Sequence, residues 1–420
     1  MIRRYLQDQV SESLRHFPAV LLTGARQVGK STLAQALIGG SWNATYLTLD
    51  DRVVLDAALR DPDGLVSGTP APMVIDEVQK APDLMRAVKK MIDRHRKPGQ
   101  YLLTGSANIM TLSTISESLA GRIALHTLYP FGWPELLKKP KPKILEDLFE
   151  ISNAKELLKR LPKAPQADYR SQIIERILTG GFPPPVLMDS NQARAQWFNA
   201  YRQTYLERDL LNIRSIENLP DFNRLLTLAA SRTGRLLNLS DFSRETGLPF
   251  TTLRRYMNLL EVTYQISLLH PYFAHVGKRL VKTPKIYFYD TGMASQFIGL
   301  DDWAVMEKQG HSGAMVETWV FSELMKLMPV TDHRLRLYFW RTSTGNEVDF
   351  LLERAGKSVA IEVKWTYRID DSDISGLKRC AEDLKDKFRF AVILYTGTET
   401  LALSPQIVAI PFPTFFGLDM

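Results

Sequence analysis

The chain has 420 residues, 45% of them apolar and 24% charged, enough to bury cores in about two to four domains. Its one cysteine, Cys380, excludes a disulfide framework and fits a reducing, cytoplasmic compartment, and no apolar run reaches membrane-spanning length. A formal net charge of +7 permits nucleic-acid contact without requiring it, and the opening residues 1–6 lack the apolar core of a signal peptide.

Residues 19–22 are an apolar run that reads as a strand. Gly24-Ala25-Arg26-Gln27-Val28-Gly29-Lys30-Ser31 follows, and Thr32 opens a helical stretch. This order fits G-x-x-x-x-G-K-[ST], in which backbone N–H groups at a helix N-terminus face a polyphosphate. Gly24, Gln27, Val28, Gly29 and Thr32 shape the cradle. Lys30 is the residue that reaches the β- and γ-phosphates, and the Ser31 hydroxyl is placed for Mg²⁺.

Residues 72–77 are a second apolar run, ending in Asp76 and Glu77. This Walker B pattern assigns Asp76 to the magnesium shell and Glu77 to polarising the attacking water. A third run, residues 100–104, turns abruptly polar, and Thr104, Ser106 and Asn108 are candidates for sensing the γ-phosphate at the strand tip. Arg122 is a candidate for transition-state charge stabilisation, with a structural salt bridge as the competing reading. Strand candidates at 18–23, 44–49, 72–76, 100–104 and 124–129 alternate with helical stretches, which predicts a parallel sheet with crossover helices.

The run Leu137-Lys138-Lys139-Pro140-Lys141-Pro142-Lys143 reads as a solvated linker. Residues 145–230 read mostly helical, with Arg208 as a second candidate arginine. From 223 to 300 the pattern predicts a winged helix-turn-helix: Ser240 caps one helix, residues 247–249 turn, and Thr251 caps a second. Leu253, Tyr256, Met257 and Leu260 share one face, leaving Arg254, Arg255 and Asn258 for DNA. Residues 270–285 would form a wing carrying Lys278, Arg279, Lys282 and Lys285. A winged helix used only for packing is the alternative.

A second constellation lies further on. Glu317 is on a helix, Asp349 on a strand, and Glu362-Val363-Lys364 at the end of the next strand. Strand periodicity puts Glu362 and Lys364 on one face, and a closed hairpin brings Asp349 beside them. Asp349 and Glu362 could then hold Mg²⁺ while Lys364 steers a water. The order is a PD-(D/E)xK nuclease pattern, which also exists as inert binding modules.

Taken together, the chain resembles prokaryotic AAA-type ATPases of the archaeal-ATPase and STAND-like branch, with a C-terminal domain of unknown function. Besides the phosphate loop and Val74-Ile75-Asp76-Glu77-Val78-Gln79, the resemblance rests on Leu49-Asp50-Asp51, Leu103-Thr104-Gly105-Ser106, Leu119-Ala120-Gly121-Arg122 and Tyr205-Leu206-Glu207-Arg208-Asp209. It continues through Tyr289-Asp290-Thr291-Gly292, Asn346-Glu347-Val348-Asp349 and Ile361-Glu362-Val363-Lys364. It implies an α/β fold in three parts: an N-terminal P-loop AAA-type parallel sheet, a helical and winged-helix middle, and a C-terminal restriction-nuclease-like α/β domain. The expected boundaries are 1–135, 136–222, 223–305 and 306–420. ATP and Mg²⁺ are the expected cofactors, DNA the expected partner, and a homo-oligomer or a protein partner is compatible with the resemblance; no membrane is expected. The leading functional reading is an ATPase acting on DNA, with branched DNA in repair or recombination as its narrower form. The alternatives are a STAND-like nucleotide switch in signalling or defence and an ATP-regulated, metal-dependent nuclease.

Overall fold

Five short apolar runs form the parallel sheet expected of the N-terminal region: β1 (Ala19–Thr23), β2 (Thr45–Thr48), β3 (Met73–Asp76), β4 (Tyr101–Thr104) and β5 (Ile123–Thr127). The order is β2-β3-β4-β1-β5, every pair parallel. β1, β3 and β4 are buried along their whole length, as strands covered on both faces must be. β4 therefore stands between the strand that leads into the phosphate loop and the strand that ends in Asp76, and three polar tips meet at one sheet edge. The helix Leu84–Arg94 covers one face, burying Leu84, Met85, Ala87, Val88 and Ile92 at helical spacing against Ile75 and Leu103.

The computed structural model describes residues 2–40, 42–106, 121–151, 153–161, 169–206, 218–273 and 283–418. They fall into two units, residues 1–130 with 260–265, and residues 131–259 with 266–420.

In the second unit the helix Leu239–Thr246 ends at Gly247, whose left-handed φ of 73° makes the turn into the helix Phe250–Val262. The caps differ from expectation. Asn238 accepts the N–H groups of Ser240 and Asp241, so Ser240 lies inside the first helix, and Thr251 lies inside the second. Asn is as good a cap as Ser, and the start moves to whichever side chain reaches the free amides first. β6 (Arg235–Leu236), β7 (Ile266–Leu269) and β8 (Lys285–Phe288) make a small antiparallel sheet with β8 in the centre. Lys141, read as part of a solvated linker, is pinned instead by Glu146 at 2.7 Å and the Val330 carbonyl at 3.1 Å.

The rest of this unit is built on β9 (Arg336–Arg341), β10 (Glu347–Arg354), β11 (Lys357–Val363), β12 (Phe388–Tyr395), β13 (Leu401–Ser404) and β14 (Ile407–Pro411). Their order is β13-β14-β12-β11-β10-β9, antiparallel at both ends and parallel through β11, β12 and β14. The helix Ser312–Thr331 is apolar almost all round and correspondingly buried, whereas Asp371–Leu384 buries one stripe, Ile374, Leu377, Cys380 and Leu384.

Two glycine motifs interlock here. Asp290 caps the helix Thr291–Phe297 through Met293 N at 2.9 Å and also accepts the Gly181 N–H at 2.7 Å. A Cβ on Gly180, whose φ is +71°, would lie 2.2 Å from Asp290 Oδ1, and one on Gly292 would lie 2.4 Å from the Thr179 carbonyl. Only glycine allows this approach. Among the described residues, no helix is long and apolar enough to cross a membrane.

Candidate functional site

The phosphate loop has the backbone its glycines predict. Gly24 (φ +139°) has no room for a side chain, since a Cβ would lie 2.2 Å from the Leu128 carbonyl oxygen. Gly29 (φ +94°) is the left-handed residue from which the helix Lys30–Leu37 starts, and Gln27 is also left-handed. Val28 is buried, and its carbonyl accepts from Arg4 Nη1 at 3.1 Å while Arg4 Nη2 holds the Tyr129 carbonyl at 2.6 Å. This buried arginine braces the loop from beneath, and nothing in its sequence surroundings marks it. Thr32 is exposed on the first helical turn.

Lys30 is buried, and its Nζ donates to the carbonyls of Gly24 at 3.1 Å and Ala25 at 2.8 Å. Burial lowers its pKa to about 8, although the Glu77 and Asp76 carboxylates pull the other way. A cation held by backbone carbonyls at a helix N-terminus is a ready partner for a polyanion.

Asp76, at the end of β3, is gripped by three hydroxyls. Ser31 Oγ donates to its Oδ1 at 3.1 Å, Thr104 Oγ1 to the same oxygen, and Tyr46 Oη to Oδ2 at 2.8 Å. Ser31 and Asp76, the two oxygen donors assigned to Mg²⁺, thus touch each other across the site, and a hard oxygen set of this kind fits that ion. Glu77 is left-handed at φ 60°, ψ 41°, a conformation that costs a non-glycine residue about 1 kcal/mol or more. Its N–H donates to Thr104 Oγ1 at 3.2 Å, and its carboxylate accepts from Gln79 Nε2, which also reaches Ser106 Oγ at 2.9 Å. Lys30, Ser31, Asp76, Glu77, Thr104 and Ser106 are therefore brought together by three adjacent strand tips. Tyr46 and Gln79 belong to the same set and were missed. The parity of β2 and the two-residue step after Glu77 were the only signals for them.

Arg122 pairs with Asp93 through Nε at 2.6 Å, at the end of the helix Leu84–Arg94. Asn108 and Arg208 lie outside the described residues, as do Lys278, Arg279 and Lys282. Arg254, Arg255 and Asn258 are exposed, and Leu253, Tyr256, Met257 and Leu260 are buried, as the periodicity required. Arg254 lies over the Phe250 ring at 4.5 Å, which holds its guanidinium on the helix surface.

The C-terminal constellation assembles as well. β10 and β11 form the antiparallel hairpin, and the Val363 N–H donates to Asp349 Oδ2 at 2.8 Å. Lys364 Nζ lies 3.1 Å from Glu362 Oε1 and 3.3 Å from Asp373 Oδ1. The cation among the other carboxylates is Lys285, which the sequence pattern places on a wing. It is only 3% exposed, and its Nζ lies 2.8 Å from Glu317, 2.5 Å from Glu347 and 3.9 Å from Asp349. Lys285 opens β8, all four residues of which are buried, so it does not lie on an exposed wing. Tyr287, two residues on and on the same face, also donates to Glu317 Oε1.

Burial works against the Lys285 charge, but Glu317, Asp349 and Glu347 outweigh it and raise its pKa. Burial, with Glu362 and Glu317 close by, pushes the Asp349 carboxyl well above the usual range, and burial also raises Glu362. Among the described residues no group of three or more His, Cys, Asp or Glu side chains is arranged to hold a metal ion. Asp349 and Glu362 as they stand do not fit the Mg²⁺ expected of a nuclease, because each faces an ammonium group instead, Lys285 Nζ at 3.9 Å and Lys364 Nζ at 3.1 Å.

Three family matches tile the chain: "AAA domain" over residues 16–137, "Domain of unknown function (DUF8612)" over 170–304 and "Domain of unknown function (DUF4143)" over 312–415. The first identifies the loop-bearing sheet as an AAA-type ATPase domain. The chain is 33% identical to uncharacterized protein Rv2008c of Mycobacterium tuberculosis over 411 residues, covering 97% of this chain and 83% of that protein. It is 22% identical to uncharacterized protein MJ1544 of Methanocaldococcus jannaschii over 416 residues, covering 93% and 86%. Among solved structures it is similar to the Walker-type ATPase PABY2304 of Pyrococcus abyssi, with 15% identity, a TM-score of 0.42, and coverage of 71% of this chain and 96% of that one.

Proposed function

The chain belongs to the family of the mycobacterial protein Rv2008c, and from that premise we propose that it hydrolyses ATP and uses the turnover to act on DNA. The observation that carries the first half is the convergence of Lys30, Ser31, Asp76, Glu77 and Thr104 at the tips of β1, β3 and β4. Gly24 and Gly29, at φ of +139° and +94°, give the loop the backbone turn by which its amides can face a phosphate chain. Lys30 exchanges its two carbonyl partners for phosphate oxygens, and Glu77 takes a proton from the attacking water. Ser31 and Asp76 would hold Mg²⁺, which would supply charge neutralisation on those oxygens.

DNA contact is supported by the helix Phe250–Val262, whose solvent side carries Arg254, Arg255 and Asn258. For the C-terminal domain we favour the non-cleaving reading, because Lys285 sits where a metal's charge would be needed.

The test is ATP hydrolysis with and without single-stranded, duplex and four-way-junction DNA, at low and moderate salt. Turnover is expected to vanish in Lys30→Ala, and its DNA stimulation to fall in Arg254→Ala/Arg255→Ala and with added salt. Undiminished hydrolysis by Lys30→Ala overturns the site assignment. A rate indifferent to every DNA at low salt overturns the DNA half and favours a nucleotide switch.

A further inference from the structure

Gln79 follows Glu77 by two residues, in the single 3-10 turn Val78–Lys80 that begins as β3 ends. The left-handed backbone at Glu77 folds this turn back, so the Gln79 amide meets the Glu77 carboxylate. Nε2 gives one hydrogen to Glu77 Oε2 and the other to Ser106 Oγ. Both donors of the amide are thereby used. Its carbonyl Oε1 is buried and has no hydrogen-bond partner among the described residues. A buried amide oxygen is seldom left unpaired, because its desolvation then goes uncompensated. This one is fixed beside the carboxylate assigned to water activation.

We propose that Gln79 is the second residue that holds the attacking water, with Glu77 accepting one of its protons and Gln79 Oε1 accepting a hydrogen bond from the other. The inference rests on the ATPase reading above. A water has two hydrogens to place before a lone pair can face phosphorus, and a single carboxylate oxygen fixes only one of them. In the step itself, the water oxygen bonds to the γ-phosphorus and the bond from that phosphorus to the β–γ bridging oxygen breaks. The electron pair leaves with ADP. The proton taken by Glu77 returns to the phosphate as it departs, while the hydrogen held by Gln79 stays on the transferred oxygen. The link to Ser106 ties this arrangement to the tip of β4, so Gln79 also reports the state of that tip to Glu77.

The experiment compares the wild-type chain with Gln79→Ala, Gln79→Glu, Glu77→Gln and Glu77→Gln/Gln79→Glu. Three quantities are read: kcat and KM against pH, affinity for a fluorescent ATP analogue, and melting temperature without nucleotide. Gln79→Ala is expected to lose about tenfold or more in kcat with analogue affinity unchanged within about twofold. Gln79→Glu sets a carboxylate against Glu77, so the acid limb of its kcat profile moves to higher pH, and its melting temperature rises toward wild type as pH falls from 7.5 to 5.5. The double variant exchanges amide and carboxylate. It is expected to regain the melting temperature but not the turnover. Gln79→Ala with wild-type kcat, beside an inactive Glu77→Gln, overturns the proposal and leaves the ATPase reading standing. Lost analogue binding in Gln79→Ala overturns it in favour of a structural role. Wild type without turnover sinks both.

Discussion

Lys285 Nζ lies 2.8 Å from Glu317 Oε1, so the first residue of β8 and a glutamate in the second turn of a long buried helix share one ion pair. The pair is screened little by solvent, and Glu347 and Asp349 complete its surroundings. Removing one partner of such a pair leaves uncompensated buried charge, which costs about 3–5 kcal/mol. Lys285→Met keeps an unbranched side chain of similar length and removes the ammonium, whose Nζ lies 5.6 Å over the Phe339 ring. Burial already holds the Asp349 carboxyl well above the usual range, and the Lys285 ammonium is what pulls it down, so its loss raises Asp349 further. A carboxyl with a raised folded-state pKa favours the fold at low pH and loses that contribution as pH rises. Urea unfolding should therefore show Lys285→Met weakened by about 3 kcal/mol or more at pH 8 and by clearly less at pH 5.

Lys30 gives a second pH signature. Its pKa is lowered from 10.5 to about 8 by burial. Between those values the unfolded chain carries the proton and the folded chain does not, so folding stability from this group rises with pH through that window. Nucleotide binding works oppositely, because phosphate favours the charged lysine. ATP affinity should hold constant below pH 7 and fall above pH 8 toward about tenfold per unit. Calorimetric titration in buffers of different ionisation enthalpy should show proton uptake on binding near pH 8.5.

The two loop glycines should separate steric from conformational cost. Gly24→Ala meets the Leu128 carbonyl at 2.2 Å, whereas Gly29→Ala meets nothing within 4 Å and faces only its φ of +94°. Strain of the second kind is worth about 1–3 kcal/mol. Thermal unfolding should place Gly24→Ala below Gly29→Ala, and an ATP-analogue titration should show Gly24→Ala without measurable binding.

The parallel sheet was legible because each of its strands is a short apolar run bounded by turn chemistry, and because the phosphate loop fixes what precedes and follows it. Lys30, Ser31, Asp76 and Glu77 were legible for the same reason, as residues at set distances from strand ends. Lys285 was not. Its local context, with Lys278, Arg279 and Lys282 upstream, resembles a basic surface hairpin, and the acids that claim it lie 32 and 62 residues downstream. Arg4 was hidden in the same way, since its acceptors are backbone carbonyls, which have no sequence signature. The helix starts at Asn238 and Phe250 were misplaced by one or two residues because several adjacent side chains could each have served as caps.

The contact between Gly181 and Asp290 spans 109 residues of chain. Closing a loop of that length is entropically costly, and contacts of such long range form slowly. On the ribosome, the Gly181 amide has no side-chain acceptor until Asp290 has been added, so the middle helices are made and must begin to pack before the clasp that joins their two ends exists. Formation of this clasp therefore waits for residue 290, and substitutions at Gly180 or Gly292 should act on refolding rate as well as on final stability.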